Sequence, residues 1–131
     1  MIQSAKAVIC KDEKYLLLKR SEGSNNYKGS WEFPGGKFDQ NESLENCLIR
    51  ETFEETNLVL KAIGKIFEYR HQDNVREINF HIVEVSDFEG KIKLSEEHLE
   101  YSWVSIEELE NYCLSPIVEV YFKEFKNEIN R

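Results

Sequence analysis

The sequence predicts a mixed β-sheet with helices packed on it, in the range between α/β and α+β folds. Three observations carry this. Short stretches of β-branched and aromatic residues recur from the N-terminus to about residue 104. One helical stretch with a strongly acidic face interrupts them near the middle. The C-terminal quarter then opens with two helix-start signals.

Taken in order, residues 5–10 read as a strand, Lys11-Asp12-Glu13-Lys14 as a polar turn, and residues 15–19 as a second strand, together a hairpin. Residues 21–30 are rich in Ser, Asn and Gly and read as a loop. Trp31-Glu32-Phe33 is a short extended piece ending at Pro34, followed by a Gly35-Gly36 turn. A helix is expected over residues 43–56. Ser43 is its N-cap, Leu44, Cys47 and Leu48 form its buried stripe, and Asn57 stands at the left-handed closing position. Two longer strands follow at 59–70 and 77–85. In the second, Ile78, Phe80 and Ile82 alternate with Asn79, His81 and Val83, predicting one apolar face. Residues 91–94 and 101–104 are expected to add short strands. Ser105-Ile106-Glu107-Glu108 has the spacing of a capping box. Ser115-Pro116 pairs an N-cap with proline at the first helical position, and the last helix presents Val118, Tyr121, Phe122, Phe125 and Ile129 on one face.

Composition narrows the function classes. A length of 131 residues suits a single domain over 1–131, long enough to bury a core. The net charge of −8, from 17 basic and 25 acidic residues, argues against long nucleic acid, which requires a positive surface. A small polyphosphate remains compatible if divalent metal screens the two negative partners. Cys10, Cys47 and Cys113 lack ligand spacing, so zinc and dithiol chemistry are not expected. No apolar run approaches membrane-spanning length and the N-terminus lacks a signal core, so a cytoplasmic protein without membrane contact is expected.

The densest chemical signal is Arg50-Glu51-Thr52-Phe53-Glu54-Glu55. On a helix, Glu51, Glu54 and Glu55 fall at i, i+3 and i+4 and share one side. They sit in the last turn, where the helix dipole already disfavours negative charge. A solvated acidic face is the bland account of such a run. A cluster of hard oxygen donors for Mg²⁺ or Mn²⁺ is the functional one.

The wider spacing favours the second. Gly36, Glu42, Arg50, Glu51, Glu54 and Glu55 resemble the Nudix box, G-x5-E-x7-R-E-U-x-E-E-x-G-U with U aliphatic. From this chain's own composition, a chance match of these six positions is on the order of one in ten thousand. Thr52 departs from an aliphatic position and Asn57 from the closing glycine; Leu58 satisfies the last position. Trp31-Glu32-Phe33-Pro34-Gly35-Gly36-Lys37 is similar to the segment before the box in MutT-type members, which hydrolyse nucleoside triphosphates. Glu97, six residues before Trp103, resembles a further metal-side glutamate of that branch.

The resemblance implies a Nudix fold, with the sheet sandwiched between helices, and a Mg²⁺- or Mn²⁺-dependent pyrophosphohydrolase. It implies metal ligation by Glu51, Glu54, Glu55 and the Gly35 carbonyl, with Glu97 a ligand, a water-orienting group or a surface residue. Glu51, Glu54 and Glu97 are the catalytic candidates, and Glu51 is either ligand or base. Arg50 is expected to pair with Glu54 or Glu42 and hold the cluster, with Gly36 and Glu42 shaping the segment before the helix. Arg20, Lys37 and Arg76 are the candidates for substrate contact; Phe33, Tyr69 and Phe80 are either base-stacking or core aromatics. His71, His81 and His98 show no ligand spacing. The expected partner is a small nucleotide, most plainly a nucleoside triphosphate, oxidised or not. Hydrolysis of ADP-ribose, a dinucleoside polyphosphate or a nucleotide sugar is the alternative, and a non-catalytic nucleotide sensor is the alternative of another class. Near Ser115 there is no asparagine of the kind that reads oxidised guanine in the MutT branch. A homodimer is compatible with the resemblance.

Overall fold

A computed structural model describes residues 1–21 and 29–126. Its elements are β1 (Ile2–Lys11), β2 (Lys14–Arg20), β3 (Trp31–Glu32), β4 (Gly35–Lys37), α1 (Leu44–Thr56), β5 (Val59–Gln72), β6 (Glu77–Glu89) and β7 (His98–Ser105). A 3₁₀ helix (Ile106–Asn111), α2 (Pro116–Val120) and a π-helical turn (Tyr121–Lys126) complete it. Of the predicted loop at 21–30, residues 22–28 lie outside the described residues, as does Ile129.

The seven strands form one mixed sheet in the order β3-β2-β1-β6-β5, with β4 also on β1 and β7 also on β2. β1 and β6 pair in parallel, which requires the long excursion that carries α1; the other pairings are antiparallel. The β1–β2 turn is tighter than the predicted four residues. It consists of Asp12 and Glu13, at φ 52° and 62°, the left-handed pair of a two-residue hairpin.

Alternation along the central strands sends side chains to two separate cores. Ala5, Ala7, Ile9, Leu16, Leu18, Val83 and Val85 pack with Cys47 and Leu48 of α1. Val8, Tyr15, Leu17 and Ile82 pack with Val118, Tyr121 and Phe122 at the other end of the chain. The sheet is therefore sandwiched, as expected. For the same reason β6 does not have one apolar face. Ile82 and Val83, adjacent and fully buried, point into opposite cores.

α1 ends where its sequence predicts. The Ser43 hydroxyl accepts the Asn46 N–H at 3.1 Å. Asn57 is left-handed at φ 68°, and its N–H donates to the Phe53 carbonyl at 2.8 Å. Two expectations are corrected. Residues 91–94 are not a strand, because the Lys93 and Ser95 N–H groups are used on the Thr56 and Glu55 carbonyls, capping α1. Gly35 and Gly36 do not form a turn; they belong to β4, in register with Lys6 and Ala5 of β1. Their small size has another use, described below. Ser115 stands at the N-cap of α2, and its backbone carbonyl accepts the Glu119 N–H at 3.2 Å, but its hydroxyl makes no capping bond. The Glu108 carboxylate accepts both the Ser105 N–H, at 3.0 Å, and the Ser105 hydroxyl, at 2.9 Å. Among the described residues no helix is long and apolar enough to cross a membrane.

Candidate active site

β4 lies between β1 and α1, and its two glycines let both neighbours approach. A Cβ on Gly35 would lie 2.0 Å from the Ala5 carbonyl oxygen, and one on Gly36 would lie 2.5 Å from the carboxyl carbon of Glu51. Gly35 also holds φ 144°, a conformation that side-chain-bearing residues rarely adopt. In this space the Gly35 N–H donates to Glu55 at 2.9 Å. Glu55 is 5% exposed. Burial raises its pKa to about 8, against the lowering effects of Lys6 and the Gly35 N–H. Burial also raises the pKa of Glu51.

Arg50 organises the outer side of the same helix. Its Nε and Nη2 donate to the two oxygens of Glu42 at 2.8 and 2.9 Å. Its Nη1 reaches Glu51 at 3.1 Å and Glu54 at 2.9 Å. Glu42 in turn accepts the Asp39 N–H at 2.9 Å, fastening the segment before the helix. Its hydrogen bonds to Arg50 hold its pKa down at about 2.

An open cleft of about 740 Å³ runs past these groups. Glu51, Glu55 and Glu97 line it, as do Gly35 and Gly36. Arg20, Lys37 and Arg76, predicted for substrate contact, also lie on its walls. Glu54 does not; it is half-exposed and held by Arg50. Of the aromatics, Phe33 and Phe80 border the cleft, yet Phe33 is buried against Tyr121 at 5.6 Å between ring centres. Tyr69 packs against the same core.

A second part of the cleft wall was not foreseen. Glu32 of β3, 7% exposed, accepts from Arg20 at 2.9 and 3.1 Å, lies 3.4 Å from Lys6 Nζ, and meets His98 Nε2 at 2.7 Å. Burial alone would raise its pKa. Lys6, His98 and Arg20 together bring it down to about 2. A bulge brings His98 into this group. β2 and β7 pair Lys19 with Glu100 but Arg20 with His98, so Leu99 is an extra residue and the alternation of β7 reverses there. The one signal for His98 in the sequence was its position next to Glu97.

One oxygen each of Glu55 and Glu97 and one ring nitrogen of His98 lie within 4.8 Å of one another. That spacing, with Glu51 on the same cleft, fits a divalent ion bound through carboxylate oxygens. A family model for the NUDIX domain matches residues 1–125. The chain belongs to the Nudix family. Nudix hydrolases cleave pyrophosphate anhydrides, generally with divalent metal, and act on small nucleotides; this chain is a Nudix pyrophosphohydrolase. It is 34% identical over 116 residues to the CTP pyrophosphohydrolase of Escherichia coli K12, covering 88% of this chain and 84% of that one. It is 30% identical over 101 residues to the asymmetrical bis(5'-nucleosyl)-tetraphosphatase of Rattus norvegicus, covering 72% of this chain and 66% of that one. Among solved structures, the MutT protein from Methanosarcina mazei Go1 superposes with a TM-score of 0.85 at 33% identity, over 99% of this chain and 96% of that one.

Proposed function

We propose that this Nudix domain, acting as one unit, hydrolyses a nucleoside triphosphate to the monophosphate and pyrophosphate. The reading is carried by the lining of the cleft, which brings the carboxylates of Glu51, Glu55 and Glu97 together with Arg20, Lys37 and Arg76. Such a site accepts a polyphosphate only with divalent metal between the like charges. When bound, Mg²⁺ or Mn²⁺ neutralises charge developing on the phosphoryl oxygens.

The residues of the chain do the rest. Glu51, Glu55 and Glu97 would hold the ion, together with the Gly35 carbonyl. Glu54 joins them only by leaving Arg50, since one guanidinium nitrogen now occupies its carboxylate. Glu51 or Glu97 takes the proton of the attacking water. Arg50 fixes the helix face through Glu42 and Glu51, so that the carboxylates do not spread under their own repulsion. Arg20, Lys37 and Arg76 orient the phosphates.

The test is a substrate panel with Mg²⁺, Mn²⁺ or EDTA, read by chromatography of products. It should hold the four ordinary nucleoside triphosphates, oxidised dNTPs, ADP-ribose, a dinucleoside tetraphosphate and a nucleotide sugar. CTP leads because of the Escherichia coli relative. Metal-dependent release of pyrophosphate from a triphosphate is the expected result. Turnover confined to ADP-ribose or a dinucleoside polyphosphate would replace the substrate assignment. Metal binding without turnover would point to nucleotide sensing.

A further inference from the structure

His98 is more buried than a surface histidine and less satisfied than a core one. Its side chain is 1% exposed. Its Nε2 faces Glu32, a carboxylate that also receives Arg20 and Lys6. A carboxylate serving three such partners is an acceptor, so Nε2 carries the hydrogen. In the neutral ring this leaves a lone pair on Nδ1, and Nδ1 has no hydrogen-bond partner. Leaving a buried acceptor unpaired costs about 1–3 kcal/mol. A histidine placed only to support Glu32 would not need to bear that cost.

A ring nitrogen of His98 lies within 4.8 Å of carboxylate oxygens of Glu55 and Glu97. A histidine whose far nitrogen donates to a carboxylate is the usual way an imidazole is oriented towards a metal. We propose that His98 is a nitrogen ligand of the metal centre, beside Glu55 and Glu97 and oriented by Glu32. The proposal rests on the metal-dependent reading above and deepens it. Mg²⁺ and Mn²⁺ both favour oxygen donors, but Mn²⁺, a first-row transition ion, accepts an imidazole nitrogen more readily than Mg²⁺ does. The site should therefore discriminate in favour of Mn²⁺, and through His98 in particular.

The experiment is pulsed EPR on the full chain loaded with Mn²⁺, without nucleotide, using protein with natural and ¹⁵N-labelled histidine. The expected result is a directly bound histidine nitrogen coupling that changes isotope pattern with the label and disappears in His98→Gln. In that variant the Mn²⁺ dissociation constant should rise at least ~10-fold, and that for Mg²⁺ by less than ~3-fold. If His98→Gln does not fold, His71→Gln and His81→Gln decide, since both must retain the coupling. No histidine coupling in saturated wild-type protein, or its loss with His71→Gln or His81→Gln, overturns the assignment. Pyrophosphohydrolase activity measured on the same samples separates the two readings. Activity without coupling removes His98 from the metal and keeps the function; coupling without activity does the reverse.

Discussion

Glu32 and Glu55 are buried to nearly the same degree in the lining of one cleft, yet their carboxyls are driven in opposite directions, to about 2 and about 8. Desolvation is the largest influence on both, so depth does not separate them. The cations and hydrogen-bond donors around them do. Glu32 has Arg20 and Lys6 beside it and a hydrogen bond from His98, which stabilise its anion. Glu55 has one backbone N–H and a shared influence from Lys6, and it also feels Glu32 and Glu51. One wall is electrostatically complete. The other leaves Glu55 with too little positive charge to offset its burial, the condition under which a carboxylate gains from a divalent cation.

The largest effect should come from the incomplete wall. Glu55→Gln is expected to lower kcat by at least ~100-fold, as for loss of a metal or electrostatic contact at the reacting centre. Without metal the same variant should be the more thermostable protein at alkaline pH. In the wild type the folded-state pKa of Glu55 lies above that of an unfolded glutamate, so its protonated form contributes stability below pH ~4.3 that is lost as pH rises through about 8. Thermal melts in EDTA from pH 4 to 9 should show the wild type falling along this range and the variant falling less, since Glu51, also raised by burial, remains. A wild-type protein equally stable at both ends would mean Glu55 is not strained by its burial.

Glu32→Gln should act in the reverse sense. It leaves Lys6 and Arg20 beside a neutral group in a buried setting, and a loss of about 3 kcal/mol is expected in urea unfolding at pH 7. Because the Glu32 pKa is depressed, its contribution holds above pH ~4.3 and fades as pH falls towards about 2. The variant should therefore converge with wild type in acid. A constant difference at all pH values would show that packing rather than charge is at work.

A smaller effect tests the helix that carries Glu55. The Thr52 hydroxyl is fully buried and has no partner, at a position where the Nudix pattern is aliphatic. Thr52→Val should stabilise by about 1 kcal/mol, with unchanged kcat. Destabilisation would show that the hydroxyl has a partner in solution. Smallest of all is Asn57→Gly, which relieves a left-handed residue but removes the 3.2 Å bond from Asn57 Nδ2 to the Lys91 carbonyl. The two should nearly cancel, within ~0.5 kcal/mol by chemical unfolding.

The same contrast explains how much of the site the sequence revealed. The helix wall was legible because its groups repeat at i, i+3 and i+4, and because Arg50 meets Glu42 and Glu54 within eight residues. The Glu32 wall was not. Its bond to His98 joins residues 66 apart, and the bulge at Leu99 reverses the face on which strand periodicity would put His98. Gly35 and Gly36 were visible as glycines, but a sequence does not say what approaches a missing Cβ. Here it is the β1 backbone and the Glu51 carboxyl, not a turn. The sandwich followed from the family resemblance, whereas alternation along β6 suggested one apolar face, and the segment at 91–94 misled because its apolar Ile92 and Leu94 pack on the α1 core while its amides cap the helix.

The most direct test is calorimetric titration of Mg²⁺ and Mn²⁺ into nucleotide-free wild type and Glu55→Gln at pH 7, in two buffers of different ionisation enthalpy. The account predicts saturable binding to the wild type with release of a proton, and binding at least ~10-fold weaker with no proton release in the variant. Equal affinity and equal proton release in the two proteins would contradict it, because the metal would then lie away from Glu55, the buried carboxylate with too little positive charge to offset its burial.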